Sequence, residues 1–248
     1  MRSNSSVDVL AIFAHPDDVE MAVAGTLLKM KSLGHRTGAL DVTQGEMGTR
    51  GTPEGRAREA RAAARIMGLD VRESLGLPDG HVFVDDESRT RLVRVLRRLK
   101  PRLILTHQGD DPHPDHNYIV QLVRESARLA NMPKYDADVS GAERIPVPAI
   151  AHNVFSRRVV PTFIVDISDF LMTKMAAIRA HASQFYDPAS DEPETRLTSR
   201  TFLDEIENRA RYFGSLIGAA AGEPFFVREA LNVHDPLALL TRPMNLYS

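Results

Sequence analysis

The chain contains no cysteine. Disulfides are thereby excluded, as are thiolate ligands for a metal, so any bound ion must rely on His and carboxylate. Long apolar runs are missing too: none approaches the ~20 residues needed to span a bilayer. The polar Met1–Ser6 segment lacks the basic start, long apolar core and cleavage site of a signal peptide. A cytoplasmic protein is the expectation. There is no excess of charge of either sign, with 31 Lys and Arg against 33 Asp and Glu. Neither nucleic acid nor an anionic membrane is therefore an expected partner. No internal repeat or low-complexity linker divides the sequence, so a single domain over 1–248 is the simplest account.

What is present is an alternation. Val7–Ala14 (VDVLAIFA) is a short, nearly continuous apolar run, as expected of a strand buried on both faces. A helix-like stretch follows over Val19–Leu33. The pattern repeats with strands at Arg36–Thr43, Arg72–Leu77 and Arg102–Thr106, and helices at Glu54–Met67, Asp85–Leu99 and Asp115–Ala130. Gly68 stands where a C-cap belongs. Further strands are expected at Ile150–Phe155, Thr162–Ile167 and Phe225–Ala230, with helices at Phe170–Ala182 and Ser199–Ile217. Strands alternating with helices of this length predict an α/β fold, Rossmann-like, with a mostly parallel sheet and helices on both faces.

Two segments carry chemistry. His15-Pro16-Asp17-Asp18-Val19-Glu20 lies at the carboxyl end of the first expected strand, where open α/β sheets bind ligands. His15 and Asp18, three residues apart on such a turn, can face one ion, while Asp17 is offset toward a water beside it. A plainer reading has one of these aspartates capping the following helix, which leaves the His-Pro and the second Asp without a task. His113-Pro114-Asp115-His116 follows the Arg102–Thr106 strand, so it reaches the same rim. Together the segments offer two His and one carboxylate with acids to spare, which suits a catalytic zinc site with an open position. Asp17 is the candidate general base, and His113 the candidate partner of the oxyanion or the leaving amine.

With AHPDDVE at Ala14–Glu20 and HPDH at His113–His116, about one hundred residues apart, the sequence resembles the N-acetylglucosaminyl-phosphatidylinositol de-N-acetylase family and its bacterial relatives in mycothiol and bacillithiol synthesis. The resemblance implies one Zn2+ per chain held by His15, Asp18 and His116, with Asp17 as base and His113 as second catalytic histidine. It implies substrate contacts from Arg56 in GTPEGRAREA (Gly51–Ala60), from Glu46, and from Asp79 in LGLPD (Leu75–Asp79). FIVDIS (Phe163–Ser168), KMAAIRAHASQF (Lys174–Phe185) and RARYFG (Arg209–Gly214) look like the bacillithiol branch. That likeness implies N-acetylglucosaminyl-malate as substrate and a homo-oligomer, commonly a hexamer. The Lys134–Arg158 region departs from the branch, and Asp110 and Asp111 read as solvated loop acids.

Three other readings compete. A nucleotide-binding module is disfavoured, because the first turn lacks G-x-G-x-x-G and its two carboxylates would repel phosphate. A non-catalytic metal-binding oligomer would have no use for Asp17. A deacetylase of another acetylated amino sugar, such as a chito-oligosaccharide or an antibiotic sugar, differs only in the group beyond the sugar.

Overall fold

A computed structural model describes residues 6–137, 144–155 and 159–237. The N-terminal residues 1–5, and parts of the divergent 134–158 region, lie outside the described residues. Seven strands form one sheet: β1 (Val9–Phe13), β2 (Thr37–Asp41), β3 (Val71–Ser74), β4 (Leu103–Thr106), β5 (Ala149–Asn153), β6 (Phe163–Asp166) and β7 (Gly222–Phe226). Their spatial order is β3-β2-β1-β4-β5-β7-β6. The first five run parallel, and β7 pairs antiparallel with both β5 and β6. The expected α/β architecture is what the chain adopts.

Six α-helices accompany the sheet among the described residues: α1 (Asp18–Ser32), α2 (Pro53–Met67), α3 (Asp86–Leu99), α4 (Pro114–Ala130), α5 (Leu171–Arg179) and α6 (Phe202–Ser215). Their starts follow local chemistry. Thr52 accepts from Gly55 N and Asp85 from Ser88 N, each satisfying an amide that the first turn leaves unpaired. Pro114 occupies the first turn of α4, where a missing N–H costs nothing.

Every residue of β1 is buried, and successive side chains enter different cores. Leu10 and Ile12 join Leu92, Leu96, Ile119 and Val123 beneath α3 and α4. Val9, Ala11 and Phe13 join Val23, Leu27, Met67 and Ala177 beneath α1, α2 and α5. That double burial is why the strand reads as an unbroken apolar run. The last strand differs from expectation: it spans Gly222–Phe226 rather than Phe225–Ala230. Gly222 and Pro224 argue against an internal strand by composition. Gly222 is needed because a Cβ there would lie 2.6 Å from Ile164 Cγ2 on β6 and 3.0 Å from Gly214 N on α6.

The chain order turns back between β1 and β4, which are neighbours although helices and two strands separate them in sequence. Such a switch point opens a crevice beyond the strand carboxyl ends. Both sequence motifs sit on its two lips.

Candidate metal centre and active site

Phe13 ends β1 and Asp18 begins α1, so only four residues make the turn. Asp17 sits there at φ 130° and ψ −30°, a left-handed conformation that costs a non-glycine residue about 1–3 kcal/mol. Its carboxylate makes no capping bond to α1. The capping reading of Asp17 therefore fails, and its carboxylate lines a cavity of about 920 Å³. Asp18 Oδ2 instead accepts from His15 N at 2.9 Å, which folds the turn back on itself.

Across the crevice, α4 begins at Pro114 with His113 as its N-cap residue, so Asp115 and His116 lie in the first turn. The two lips meet. His15 Nδ1 lies 3.3 Å from Asp18 Oδ2, His116 Nε2 lies 3.5 Å from the same oxygen, and the two ring nitrogens are 3.4 Å apart. Tetrahedral ligands at about 2.0–2.1 Å from zinc are separated by about 3.3–3.4 Å. The triangle thus fits such an ion, and its donor set of two imidazoles and one carboxylate fits catalytic zinc.

Electrostatics supports the fit. Five carboxylates, from Asp17, Asp18, Asp79, Asp111 and Asp115, crowd two of these rings and each other. Against the cost of burial, Asp115, Asp18 and Asp79 push the His15 imidazole up to about 12. Burial is likewise outweighed at His116, which Asp18 and Asp111 raise to about 9. The Asp18 carboxyl, though buried, is held well below its usual range by His116 and His15. The surroundings therefore call for positive charge between these groups. A second grouping, His15 with His113 and Asp115, also comes close. Asp115 is already committed there, accepting from Gly80 N at 2.8 Å and Val82 N at 3.3 Å.

Each imidazole of the triangle is backed by a carboxylate on its other nitrogen. His15 Nε2 is 3.0 Å from Asp79 Oδ1, and His116 Nδ1 is 3.1 Å from Asp111 Oδ1. Such partners fix the ring orientation of metal-binding histidines. Asp79 also accepts from Met47 N, while Glu46 accepts from Asp79 N at 2.8 Å. So Asp79 stands behind His15 at the cavity wall, and Glu46 braces Asp79.

Arg56 reaches the site from α2. It donates to Gly45 O, to Pro16 O and to Asp17 Oδ2 at 3.2 Å, so three of its bonds are spent on the protein. Gly45, at φ 67°, leaves the space its guanidinium occupies. Burial pushes the Asp17 carboxyl up to about 6, against the pull of Arg56 and with the help of Asp18. His113 Nδ1 accepts from Asp115 N at 3.3 Å, which leaves Nε2 to carry the proton of the neutral ring. Burial, with His15 and His116 nearby, lowers its pKa.

Sequence reasoning missed His107. Its Nε2 accepts from Ala14 N at 3.0 Å and its ring stacks on His116 at 4.0 Å, so one side chain touches both lips. Burial and His116 press its pKa down to about 3, and the ring is neutral. The only signal was a histidine directly after a strand. Asp111, read as a solvated loop acid, is the carboxylate behind His116. The cavity is lined further by Met21, Phe155, Leu197 and Phe202, with Arg196, Asn153 and Gln184 among them.

The model of the family described as GlcNAc-PI de-N-acetylase (PIG-L) matches residues 10–127, a span that includes both lips. The chain is similar to the diacetylchitobiose deacetylase of Thermococcus kodakarensis, 30% identical over 194 residues covering 73% of this chain and 72% of that one. It is similar to a probable N-acetyl-alpha-D-glucosaminyl L-malate deacetylase 2 of Bacillus anthracis, 28% identical over 190 residues, 71% and 81% of the two chains. Among solved structures, a conserved protein of Thermus thermophilus superposes with a TM-score of 0.81 at 35% identity, over 92% of this chain and 97% of that one.

Proposed function

We propose, from the premise that this chain belongs to the GlcNAc-PI de-N-acetylase (PIG-L) family, that it is a zinc-dependent hydrolase removing the acetyl group from an N-acetylglucosamine conjugate. One observation carries the reading: the His15, Asp18 and His116 triangle opens onto the cavity beside a fourth group, Asp17, that takes no part in it. Zinc held by that triangle supplies Lewis acidity and lowers the pKa of water toward about 7.

The chain's own groups do the rest. Asp17 accepts a proton from the attacking water, and its burial, which pushes the carboxyl up, favours its taking that proton. Arg56 holds Asp17 in place through Pro16 O and Asp17 Oδ2. His113, with its proton on Nε2, donates a hydrogen bond to the oxygen of the tetrahedral intermediate, and Asp17 passes the proton it took from water to the departing nitrogen. The carbon–oxygen bond forms, the carbon–nitrogen bond breaks, and acetate leaves with the free amine.

The finer reading is N-acetylglucosaminyl-malate as the conjugate, supported by the likeness to the Bacillus anthracis protein. A second sugar in place of malate is supported by the likeness to the Thermococcus kodakarensis protein. A homo-oligomer is supported by apolar groups left exposed near the sheet edge, Val160, Phe163, Tyr212 and Leu216. The deciding experiment measures acetate release from N-acetylglucosaminyl-malate and from diacetylchitobiose, before and after chelation and again with zinc restored. Release should stop on chelation and return with zinc. Turnover that survived complete metal removal would end the zinc reading, and the better of the two substrates identifies the conjugate.

A further inference from the structure

Helix α1 begins at the metal centre, and its second turn is gripped from outside. Lys174 Nζ, on α5, donates to Met21 O at 2.8 Å. Asn153 Nδ2, on β5, donates to Ala22 O at 2.9 Å. Glu223, on β7, accepts from Gly25 N at 2.9 Å and from Thr26 N at 2.7 Å. In a regular helix Met21 O and Ala22 O are the partners of these same two amides. All four groups of two consecutive helical bonds are thus engaged by side chains of other elements.

The clamp is dry and charged. Lys174 and Glu223 pair at 2.6 Å with both side chains 3% exposed. Gly25 makes the fit possible, since a Cβ there would lie 2.7 Å from Ile167. A buried ion pair is a poor way to gain stability, because desolvation offsets its attraction. It is a good way to fix direction, because groups inserted into a helical ladder set where the preceding turn points. That turn carries Asp18, and the residue before it is Asp17.

We propose that the Lys174–Glu223 pair, together with Asn153, is the positioning device of the metal centre, holding α1 so that Asp18 meets His15 and His116 at ligand spacing. The proposal rests on the reading of that triangle as a zinc site. It links the carboxyl-terminal third of the chain to a ligand in its first twenty residues.

The test compares zinc affinity, by competition with a chromophoric chelator, and the visible spectrum of the cobalt-substituted protein. Glu223→Gln leaves a buried cation alone, so the double variant Lys174→Met, Glu223→Gln is measured beside it, with folding checked by circular dichroism. Leu96→Ala, a core truncation on the other side of the sheet, controls for lost stability. Both clamp variants should bind zinc about tenfold more weakly, with a changed cobalt spectrum. Leu96→Ala should keep the wild-type affinity and spectrum. Folded clamp variants with wild-type zinc affinity would overturn the proposal, as would an equal loss in Leu96→Ala. Failure of the wild type to bind zinc would instead remove the metal reading on which it stands.

Discussion

The loop after β1 and the loop after β4 bring the His15, Asp18 and His116 side chains together, yet they are built differently. The first is four residues long and gains its shape from a left-handed Asp17 and from the Asp18 bond back to His15 N. From outside, Arg56 donates to Pro16 O and Asp17 Oδ2, and His107 accepts from Ala14 N. The second runs over seven residues and is tied to β5, where His152 bonds His107 O, to Phe155 just beyond it, whose N donates to Gln108, and to the start of α4. Asn117 donates to Asp111 O at 2.7 Å and to His113 O at 3.2 Å, and Asp111 N donates back to Asn117 Oδ1. Short loops hold position by strain and covalent reach, whereas long ones need internal bonds to offset their greater freedom. On the proposed function, the first loop therefore suits the base, whose aim must be fixed, and the second suits a ligand that the stacked ring of its own His107 can steady.

The comparison can be broken at four points. Asp18→Ala removes the proposed ligand directly after the short loop, and the protein should lose its zinc altogether, measured as metal content after gel filtration; retained stoichiometric zinc would mean that the triangle is misassigned. Asp17→Asn should keep the metal while turnover falls by about 10²–10⁴-fold, and loss of zinc in this variant would place Asp17 among the ligands. Arg56→Met releases the brace of the short loop. Turnover should drop by about 10²-fold with zinc affinity nearly unchanged, because the damage falls on the base; a large rise in KM with unchanged kcat would return Arg56 to the substrate. Asn117→Ala loosens the long loop, and here zinc affinity should fall by about tenfold while acetate release at saturating zinc changes little. If Arg56→Met and Asn117→Ala gave the same pattern, the two loops would not differ as described.

Much of this was legible in the sequence where the information is local. The β1 and β4 runs, buried on both faces, announce a parallel sheet. The two His-Pro-Asp segments each stand just beyond a strand, so the fold itself brings them together at the switch point. What stayed hidden depends on distant partners. Nothing in Leu75–Asp79 tells that Asp79 will back an imidazole 64 residues away, nor that Glu46 will hold Asp79 from behind. Arg56 looks like a free helical cation until the carbonyls of Gly45 and Pro16 surround it. His107 and Asp111 lie in an irregular stretch with no periodicity to mark one face as inward. The β7 boundary was masked by Gly222 and Pro224, and the need for Gly222 shows only once Ile164 on β6 and the backbone of α6 stand against it.

The cavity wall has a further consequence. The His15, Asp18 and His116 triangle and Asp17 come from the first half of the chain, whereas Phe155, Leu197 and Phe202, which also line the cavity, come from later in it. On the proposed function, part of recognition falls to this later stretch of the polypeptide. Substitutions in the later stretch can exchange one acetylated compound for another without disturbing how the amide is broken, so long as Asn153, Lys174 and Glu223 keep their grip on α1.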